Sequence, residues 1–192
     1  AFCYFNMNKS GARLSWEYFH PNTPVPFYIK YIEDRDLWRF KLKNSLAFNT
    51  AVFALPFDFE AWDKALSKKM LMMRNGDAIL SYQNKIVSSS HGEVNFVSIF
   101  GHDNIPCVNT FTLQSDICDS LNKKYLSPFA LCYHVKSDGR VKWSIRSIPG
   151  GLNVRQYAST FGGGGHNNAS GFTTDREFLN QVIETAKKKE NV

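Results

Sequence analysis

The sequence lacks any long apolar run. Its 192 residues contain no stretch near the roughly 20 consecutive apolar residues that a membrane-spanning helix needs, and no basic and apolar leader opens the chain. Membrane insertion and secretion are therefore not expected, and an intracellular, cytoplasmic location is predicted, with an organelle left open. The first residues are already apolar and follow no initiator methionine, which truncation, processing or a further N-terminal region would each explain.

Cysteine and histidine are sparse and scattered. No Cys-x-x-Cys pair occurs, so a disulfide-rich scaffold is not expected, and buried thiols in a reducing compartment are predicted instead. The histidines do not have the clustered spacing of a metal-ligand set. The four cysteines are Cys3, Cys107, Cys118 and Cys132, and the five histidines are His20, His91, His102, His134 and His166.

Positive charge is in excess. The chain has 23 basic and 17 acidic residues, a formal net charge of +6 and a pI of about 9.1. Such a balance favours phosphate-bearing ligands or nucleic acid. Part of the excess, Lys187 to Lys189, lies at the end of a predicted helix, where cations suit the helix dipole and the solvent.

The first third of the chain contains a predicted helix and a predicted strand. Ser10 can cap a helix that continues to Phe19, ahead of a proline-rich break. Aromatic and β-branched residues over Phe27–Asp34 predict a buried strand. Asp34 would then lie at a strand end.

A helical pattern follows. Apolar residues at three- and four-residue steps predict a helix over Phe57–Arg74, and a second helix is predicted after Gly76. The segment Ser88–Gly92 would end this second helix, because serine and glycine favour loops. It is the best candidate for a domain boundary.

Beyond this boundary the apolar pattern becomes strand-like. Helices are predicted over Ser115–Lys124, near Asn153–Phe161 and from Asp175 onward. The resulting order β-β-α-β-β-α-loop-β-α predicts a mixed sheet with helices packed on it. The first four strands are predicted at 94–100, 106–109, 129–135 and 141–148.

Four successive glycines, Gly162, Gly163, Gly164 and Gly165, precede His166 and Asn167. A segment without Cβ atoms lets backbone N–H groups approach an anion closely, and His166 can donate to a phosphate oxygen. The alternative is a helix C-cap followed by a flexible loop.

Arg146, on a predicted strand, is a second candidate binding residue. A guanidinium can hold a phosphate or carboxylate through two parallel hydrogen bonds, which lysine cannot do. The alternative for Arg146 is an exposed strand arginine without a ligand.

The segment Phe161-Gly-Gly-Gly-Gly-His-Asn-Asn-Ala-Ser-Gly-Phe172 resembles the signature of the DHHA1 domain. This domain is the C-terminal half of DHH-superfamily phosphoesterases and, in divergent form, a module appended to alanyl-tRNA synthetases. Trp143–Ser147 is similar to the strand that places an arginine near the substrate in such proteins. Residues 5–12 with Trp16–Phe19, and Tyr31–Trp38, look like the closing part of the DHH catalytic domain.

The resemblance implies an α/β fold: the end of a DHH α/β domain at 1–75, a helical linker and boundary at 76–92, and a DHHA1 domain with a mixed β-sheet flanked by helices at 93–192. The DHH domain would hold two metal ions, usually manganese, with Asp34 as a late ligand. For Asp34 the alternative is a surface charge cluster with Asp36. The DHHA1 domain would bind a nucleotide or short oligonucleotide through Arg146, Gly162, Gly163, Gly164, Gly165, His166 and Asn167.

The sequence also departs from the family. It contains no Asp-His-His triplet, and Asn6 occupies a position where the family often has aspartate. Most of the manganese site would therefore lie outside this sequence, or catalysis has been lost, and no catalytic residue is assigned within the chain. Three functions stay open: a metal-dependent phosphodiesterase or exonuclease, a non-catalytic nucleotide- or nucleic-acid-binding module, and a degenerate structural subunit that forms a homodimer or joins a larger assembly.

Overall fold

The computed structural model describes residues 6–187, so that Cys3, Lys188 and Lys189 lie outside the described residues. The chain divides into two compact units, one up to Asn84 and one from Lys85 onward. This division falls within the 76–92 segment that was predicted as a linker. Within residues 6–187, no helix combines the length and apolar composition that crossing a bilayer requires.

The described part of the first unit is helical. Ser10 caps the first helix as predicted, because its hydroxyl accepts a hydrogen bond from the Arg13 N–H at 3.1 Å. Asp58 caps the fourth helix in the same way, accepting from the Ala61 N–H at 2.7 Å. The helices are α1 (Gly11–Phe19), α2 (Phe27–Asp36), α3 (Ser45–Phe53), α4 (Phe59–Leu66) and α5 (Lys69–Ser89), the last of which continues into the second unit.

The strand predicted over Phe27–Asp34 is wrong, because these residues form helix α2. Phe27 and Tyr31 are one helical turn apart, and both rings pack on Phe48 of α3, at centroid distances of 5.8 and 5.2 Å. This tertiary packing outweighs the β-propensity of the aromatic and branched residues. Asp34 consequently lies near the end of a helix instead of at a strand end.

The single helix predicted over Phe57–Arg74 is also wrong. Helix α4 ends at Leu66 and α5 begins at Lys69, and Gly76 lies inside α5 instead of before a new helix. Gly76 is buried, and a Cβ on it would lie 1.7 Å from the carbonyl oxygen of Ala47 in α3. Glycine at this position therefore serves close backbone packing and not helix termination.

The second unit is built on a mixed sheet, as predicted, but the sheet has six strands where the sequence predicted five. The strand order is β1-β2-β3-β4-β6-β5, with β2 and β3 parallel and the other neighbours antiparallel. A short 3₁₀ helix, Ser90–Glu93, precedes the sheet. The elements are β1 (Asn95–Ile99), β2 (His102–Asn109), α6 (Gln114–Tyr125), β3 (Ala130–Val135), β4 (Val141–Arg146), α7 (Arg155–Ser159), β5 (Gly164–His166), β6 (Ala169–Thr174) and α8 (Arg176–Lys187).

Part of the predicted glycine loop is a strand. Gly164 to His166 form β5, which pairs with β6 as an antiparallel hairpin, so the second half of the predicted loop is regular structure. Glycine has a low β-propensity, and the pairing with β6 decides the conformation here. The predicted helices of this unit are confirmed over Ser115–Lys124 and from Asp175 onward, where Asp175 caps α8 by accepting from the Phe178 N–H at 2.9 Å.

Both faces of the sheet bury apolar residues. On one face, Trp143, Ile145 and Phe172 belong to a core that includes Ala158 of α7 and Val182 of α8. The other face is covered in part by α6, whose residues form a second core with β2 and β3: Val108, Ile117, Cys118, Leu121, Ala130 and Cys132. The predicted burial of Cys107, Cys118 and Cys132 is confirmed. Burial raises the pKa of the Cys107 and Cys118 thiols, so these thiols stay protonated and unreactive.

Candidate functional site

The strand register places the predicted binding residues in one row across the sheet. Arg146 of β4 pairs with Ala169 of β6, and Ala169 pairs with His166 of β5. Directly opposed residues of antiparallel strands project to the same face. Arg146 and His166 therefore share a face, with their backbones two strands apart, or roughly 10 Å. We call Arg146, Ala169 and His166 the arginine row.

A row of small residues lies beside the arginine row. Ser144 of β4 pairs with Gly171 of β6, and Gly171 pairs with Gly164 of β5. Since alternate residues of a strand share a face, this row is on the same face as Arg146. The two glycines contribute no side chain, so the sheet backbone is bare here. We call Ser144, Gly171 and Gly164 the glycine floor.

At three of the four successive glycines, the local backbone conformation or packing requires a residue without a side chain. Gly162 has φ +68° and Gly165 has φ +143°, a region that L-residues rarely adopt. A Cβ on Gly163 would lie 2.3 Å from the carbonyl oxygen of Gly171. Gly164 differs, because its φ is ordinary and a Cβ would meet nothing within 4 Å. The local structure therefore does not require glycine at position 164. Close approach of a ligand to the backbone would require it.

The glycine run also ends helix α7. The Gly162 N–H donates to the Ser159 carbonyl at 3.1 Å, and the Gly163 N–H donates to the Ala158 carbonyl at 2.9 Å. The two interpretations of the glycine run, a helix C-cap and a ligand-binding backbone, therefore apply to different residues of the run. Gly162 and Gly163 complete the helix end, and Gly164 belongs to the bare part of the sheet.

Arg146 is held in place by uncharged groups. Its Nη2 donates to the Ser115 hydroxyl at 2.8 Å, and its Nη1 donates to the carbonyl oxygens of Ile145 and Ser170 at 3.2 and 3.4 Å. None of the ion pairs within residues 6–187 involves Arg146. The guanidinium is thus oriented while its positive charge is not cancelled by an ion pair.

Ser115 was missed as a site residue by the sequence reasoning. It lies in the first turn of α6, where the partial positive charge of the helix dipole adds to that of the guanidinium. Its serine identity suggested only a helix start. No signal in the sequence connects it to Arg146, because the contact joins residues 31 positions apart.

His166 and Asn167 are exposed at the tip of the β5–β6 hairpin. The Asn167 carbonyl accepts from the Val154 N–H at 2.7 Å, which ties the hairpin to the segment before α7. The Asn168 side chain donates to the Ser147 hydroxyl and to the Ile148 carbonyl, both at 2.8 Å. Asn168 therefore has a structural role, and the His166 side chain is left at the surface beside the glycine floor.

Asp34, the predicted metal ligand, belongs to the first unit. Its side chain is buried, and both carboxylate oxygens accept hydrogen bonds: from the Lys41 N–H at 2.9 Å, the Leu42 N–H at 3.1 Å and the Ser45 hydroxyl at 2.5 Å. These contacts join the end of α2 to the start of α3. Within residues 6–187, no three His, Cys, Asp or Glu side chains come together as a metal site. The described residues therefore do not fit a manganese pair, and the metal role of Asp34 stays a prediction.

We expect Asp34→Asn to lower the free energy of unfolding at pH 7 by about 1–2 kcal/mol, because three donors lose a charged acceptor. Burial acts to raise the pKa of Asp34, but the hydrogen bonds from Ser45, Lys41 and Leu42 outweigh it, and the pKa is lowered. A lowered folded-state pKa stabilises the protein above the unfolded pKa, and this contribution is lost as the pH falls through the folded value.

Urea denaturation of the parent and variant chains at pH 7, 5 and 3 measures this effect. The difference in unfolding free energy should be full at pH 7 and 5 and should shrink below about pH 4, near the unfolded pKa of aspartate. The exposed neighbour Asp36 provides the control, and Asp36→Asn should change stability by less than about 0.5 kcal/mol. A difference that stays constant down to pH 3 would contradict the assigned hydrogen bonds.

Comparisons with known proteins concern both units. Residues 113–191 match the family model described as the DHHA1 domain. Over 177 residues the chain is 32% identical to an uncharacterized protein of Acanthamoeba polyphaga mimivirus, an alignment that covers 87% of this chain and 41% of that protein. The chain thus spans less than half the length of this curated relative.

Two solved structures resemble the chain at low sequence identity. The DHH domain of a protein described as a member of a ribosomal protein family has a TM-score of 0.51 at 13% identity, covering 88% of this chain and 47% of that chain. A pGpG-specific phosphodiesterase of Vibrio cholerae has a TM-score of 0.46 at 10% identity, covering 93% of this chain and 70% of that chain. The first of these likenesses concerns the fold alone.

Proposed function

We propose that this chain, whose residues 113–191 match the DHHA1 domain model, is the substrate-binding portion of a DHH-family phosphodiesterase acting on nucleotides or short oligonucleotides. One observation carries the proposal. Arg146, which takes part in none of the ion pairs within residues 6–187, shares a sheet face and a row with His166, beside the glycine floor. The match to the DHHA1 domain supports the phosphoesterase class, and the site supports the anionic ligand.

The chemistry of the arginine row suits a phosphate group. The guanidinium can donate two parallel hydrogen bonds to phosphate oxygens, and the Ser115 contact restricts its orientation beforehand, so less conformational entropy is lost on binding. The exposed His166 imidazole can donate a further hydrogen bond. The backbone at Gly164 and Gly171 can be approached by a base or sugar because no side chain intervenes.

Hydrolysis would require a metal site, and the described residues do not assemble one. Two manganese ions would polarise the phosphate and supply the attacking hydroxide, and residues 6–187 contain no cluster of three ligands for them. The residues of this chain would bind the phosphate and orient it. Any contribution of Asp34 to a metal site would have to join ligands from outside residues 6–187.

A second candidate function is nucleotide binding without hydrolysis. It is favoured by the same lack of a ligand cluster among the described residues, while the arginine row is intact. Incubation with a dinucleotide and manganese separates the two. Cleavage by a longer protein that includes this chain would support the phosphodiesterase, whereas binding without cleavage by that protein would favour the binding module.

We expect Arg146→Gln to weaken binding of a 5′-phosphorylated dinucleotide by about tenfold or more, since a hydrogen bond to a charged group contributes about 1.5–3 kcal/mol and 1.4 kcal/mol corresponds to a factor of ten. Arg146→Lys keeps the charge but not the two parallel bonds, so its affinity should be intermediate. Isothermal titration calorimetry without metal measures binding separately from hydrolysis.

The exposed Arg176 of α8 provides a matched control, because α8 packs on the face of the sheet opposite Arg146 and Arg176→Gln removes the same charge. This variant should keep its affinity within about twofold, since an exposed charge at a distance is screened by salt. Circular dichroism verifies that the Arg146 variants are folded. An Arg146→Gln protein that is folded and binds the dinucleotide as tightly as the parent would refute the assigned role.

A further inference from the structure

A loop of the first unit alternates apolar and basic residues. Between α2 and α3, residues 38–43 have the sequence Trp-Arg-Phe-Lys-Leu-Lys, with three basic side chains and no acidic one. All six residues are exposed. We call residues 38–43 the aromatic-basic loop. A surface with charge of one sign attracts ligands of the opposite sign, so this loop favours an anionic partner.

Asp34, near the end of α2, holds the backbone of this loop. Its carbonyl oxygen accepts from the N–H groups of Arg39 at 2.8 Å and Phe40 at 3.3 Å. Its carboxylate accepts from the N–H groups of Lys41 and Leu42. Four successive N–H groups of the loop therefore donate to one residue. Because the path of the loop is fixed before a ligand binds, less entropy is lost on binding.

Two residues of the loop have a backbone conformation that bulky side chains rarely adopt. Trp38 has φ +54° and Phe40 has φ +49°, both in the left-handed region. Such a conformation persists only where the surrounding structure imposes it, and it occurs often at ligand-binding sites. The hydrogen bonds to Asp34 impose it here. The loop thus keeps two aromatic rings at the surface in spite of a backbone cost.

The apolar side chains of the loop are partly exposed. The exposed fractions of Trp38, Phe40 and Leu42 are 42%, 37% and 37%. The Trp38 and Phe40 rings contact each other edge to face, with their centroids 4.9 Å apart. Each ring is therefore partly packed and partly open to solvent. Unpaired bases stack on aromatic side chains of this kind with little dependence on base sequence.

The lysines of the loop carry positive charge beside these rings. None of the ion pairs within residues 6–187 involves Lys41 or Lys43. Arg39 differs, because it lies 3.5 Å from the carboxylate of the buried Glu33 and donates to the Asn8 carbonyl at 2.7 Å. Arg39 therefore anchors the loop, while the two lysines can contact phosphates.

Single-stranded nucleic acid fits this loop better than a membrane surface does. Its phosphates alternate with unpaired bases, and proteins bind it by combining cations with aromatic side chains. A duplex keeps its bases stacked inside and could use only the cations. Anchoring in a bilayer buries an apolar face about 5–10 Å deep, whereas Trp38 and Phe40 are less than half exposed.

We propose that the aromatic-basic loop binds single-stranded nucleic acid, with bases stacked on Trp38 and Phe40 and phosphates against Lys41 and Lys43. This surface belongs to the first unit and uses no residue of the arginine row. The inference therefore goes beyond the proposed function and stands or fails without it.

Fluorescence anisotropy of a labelled single strand of about 20 thymidine nucleotides tests the stacking, since such sites span about 4–16 nucleotides. We expect Trp38→Ala to weaken binding by about tenfold, as for the loss of one stacked base. Trp38→Phe keeps a ring and should bind within about threefold of the parent. Tyr18→Ala is the matched control, because Tyr18 is an exposed aromatic residue of the same unit beside the acidic Glu17. It should bind within about twofold of the parent.

The salt dependence of binding tests the lysines. Combining Lys41→Gln with Lys43→Gln should lower the slope of log K against log salt by about 1.4, because each phosphate contact on a single strand contributes about 0.7. Combining Lys64→Gln with Lys68→Gln changes the charge equally at exposed lysines of the same unit and should leave the slope unchanged. If circular dichroism shows that Trp38→Ala is unfolded, the lysine variants decide, because they replace exposed side chains.

A duplex of the same length and vesicles of anionic phospholipid are the competing ligands. Weaker and Trp38-independent binding of the duplex would support stacking of unpaired bases, and equally tight binding would overturn it. A folded Trp38→Ala protein that binds the strand as tightly as the parent would refute the inference. So would loss of strand binding in Arg146→Gln with full binding in the loop variants, or Trp38-dependent binding to vesicles without binding to the strand.

Discussion

Replacing Gly76 with alanine should lower the free energy of unfolding of the first unit by about 3 kcal/mol, because overpacking a rigid contact costs about that much. Alanine is the better helix former by about 1 kcal/mol, so propensity alone predicts the opposite sign. The contact decides the outcome. The new Cβ would lie 1.7 Å from the Ala47 carbonyl oxygen, and backbone cannot move aside as a flexible side chain can.

Urea denaturation measures the loss of unfolding free energy in Gly76→Ala, and amide hydrogen exchange identifies which helices are destabilised. Faster exchange in α2 and α3 would identify the first unit as the part that is destabilised. Gly11→Ala is the matched control, because Gly11 is also a helical glycine and a Cβ there meets nothing within 4 Å. Unchanged or increased stability of Gly76→Ala would show that α3 and α5 can separate without cost.

Replacing Gly165 with alanine should lower the free energy of unfolding of the second unit by about 3 kcal/mol, from a strained φ together with a steric clash. Gly165 has φ +143°, and a Cβ on it would lie 2.4 Å from the Ala169 carbonyl oxygen. Relief of this contact would open the pairing of β5 with β6. Nucleotide affinity should fall with it, because His166 is positioned by that hairpin.

Gly164→Ala separates ligand binding from stability. Its free energy of unfolding should stay within about 0.5 kcal/mol of the parent, since its φ is ordinary and no atom is near the added Cβ. Its nucleotide affinity should nevertheless fall, because the methyl group would occupy the glycine floor. Calorimetry and urea denaturation on both variants give the comparison, and Gly164→Ala with normal affinity would place the ligand elsewhere.

Features that depend on neighbouring residues were predictable. Ser10 caps α1, and β4 (Val141–Arg146) lies within the strand predicted at 141–148, because capping and strand alternation are local patterns. The prediction failed for α3, which no pattern indicated. Seven of its nine residues are buried, so it has no polar face and no helical period to detect.

The failure at α2 has a related cause. Phe27 and Tyr31 have high β-propensity, and only their packing on Phe48 makes a helix the better arrangement. The same packing changes the position of Asp34. Its carboxylate holds the end of α2 to the start of α3 through Lys41, Leu42 and Ser45, contacts to residues that no sequence spacing could assign to it.

The sequence by itself indicated the DHHA1 domain that residues 113–191 match, the order of elements in the second unit apart from β5, and the residues at 146 and 162–167 that could bind an anion, because these depend on residue type and short-range pattern. Only the tertiary structure decided which of them share a surface. A register shift of one residue in β6 would turn its side chains to the opposite face, so the pairing of Arg146 with Ala169 and of Ser144 with Gly171 is what places the arginine beside the glycine floor.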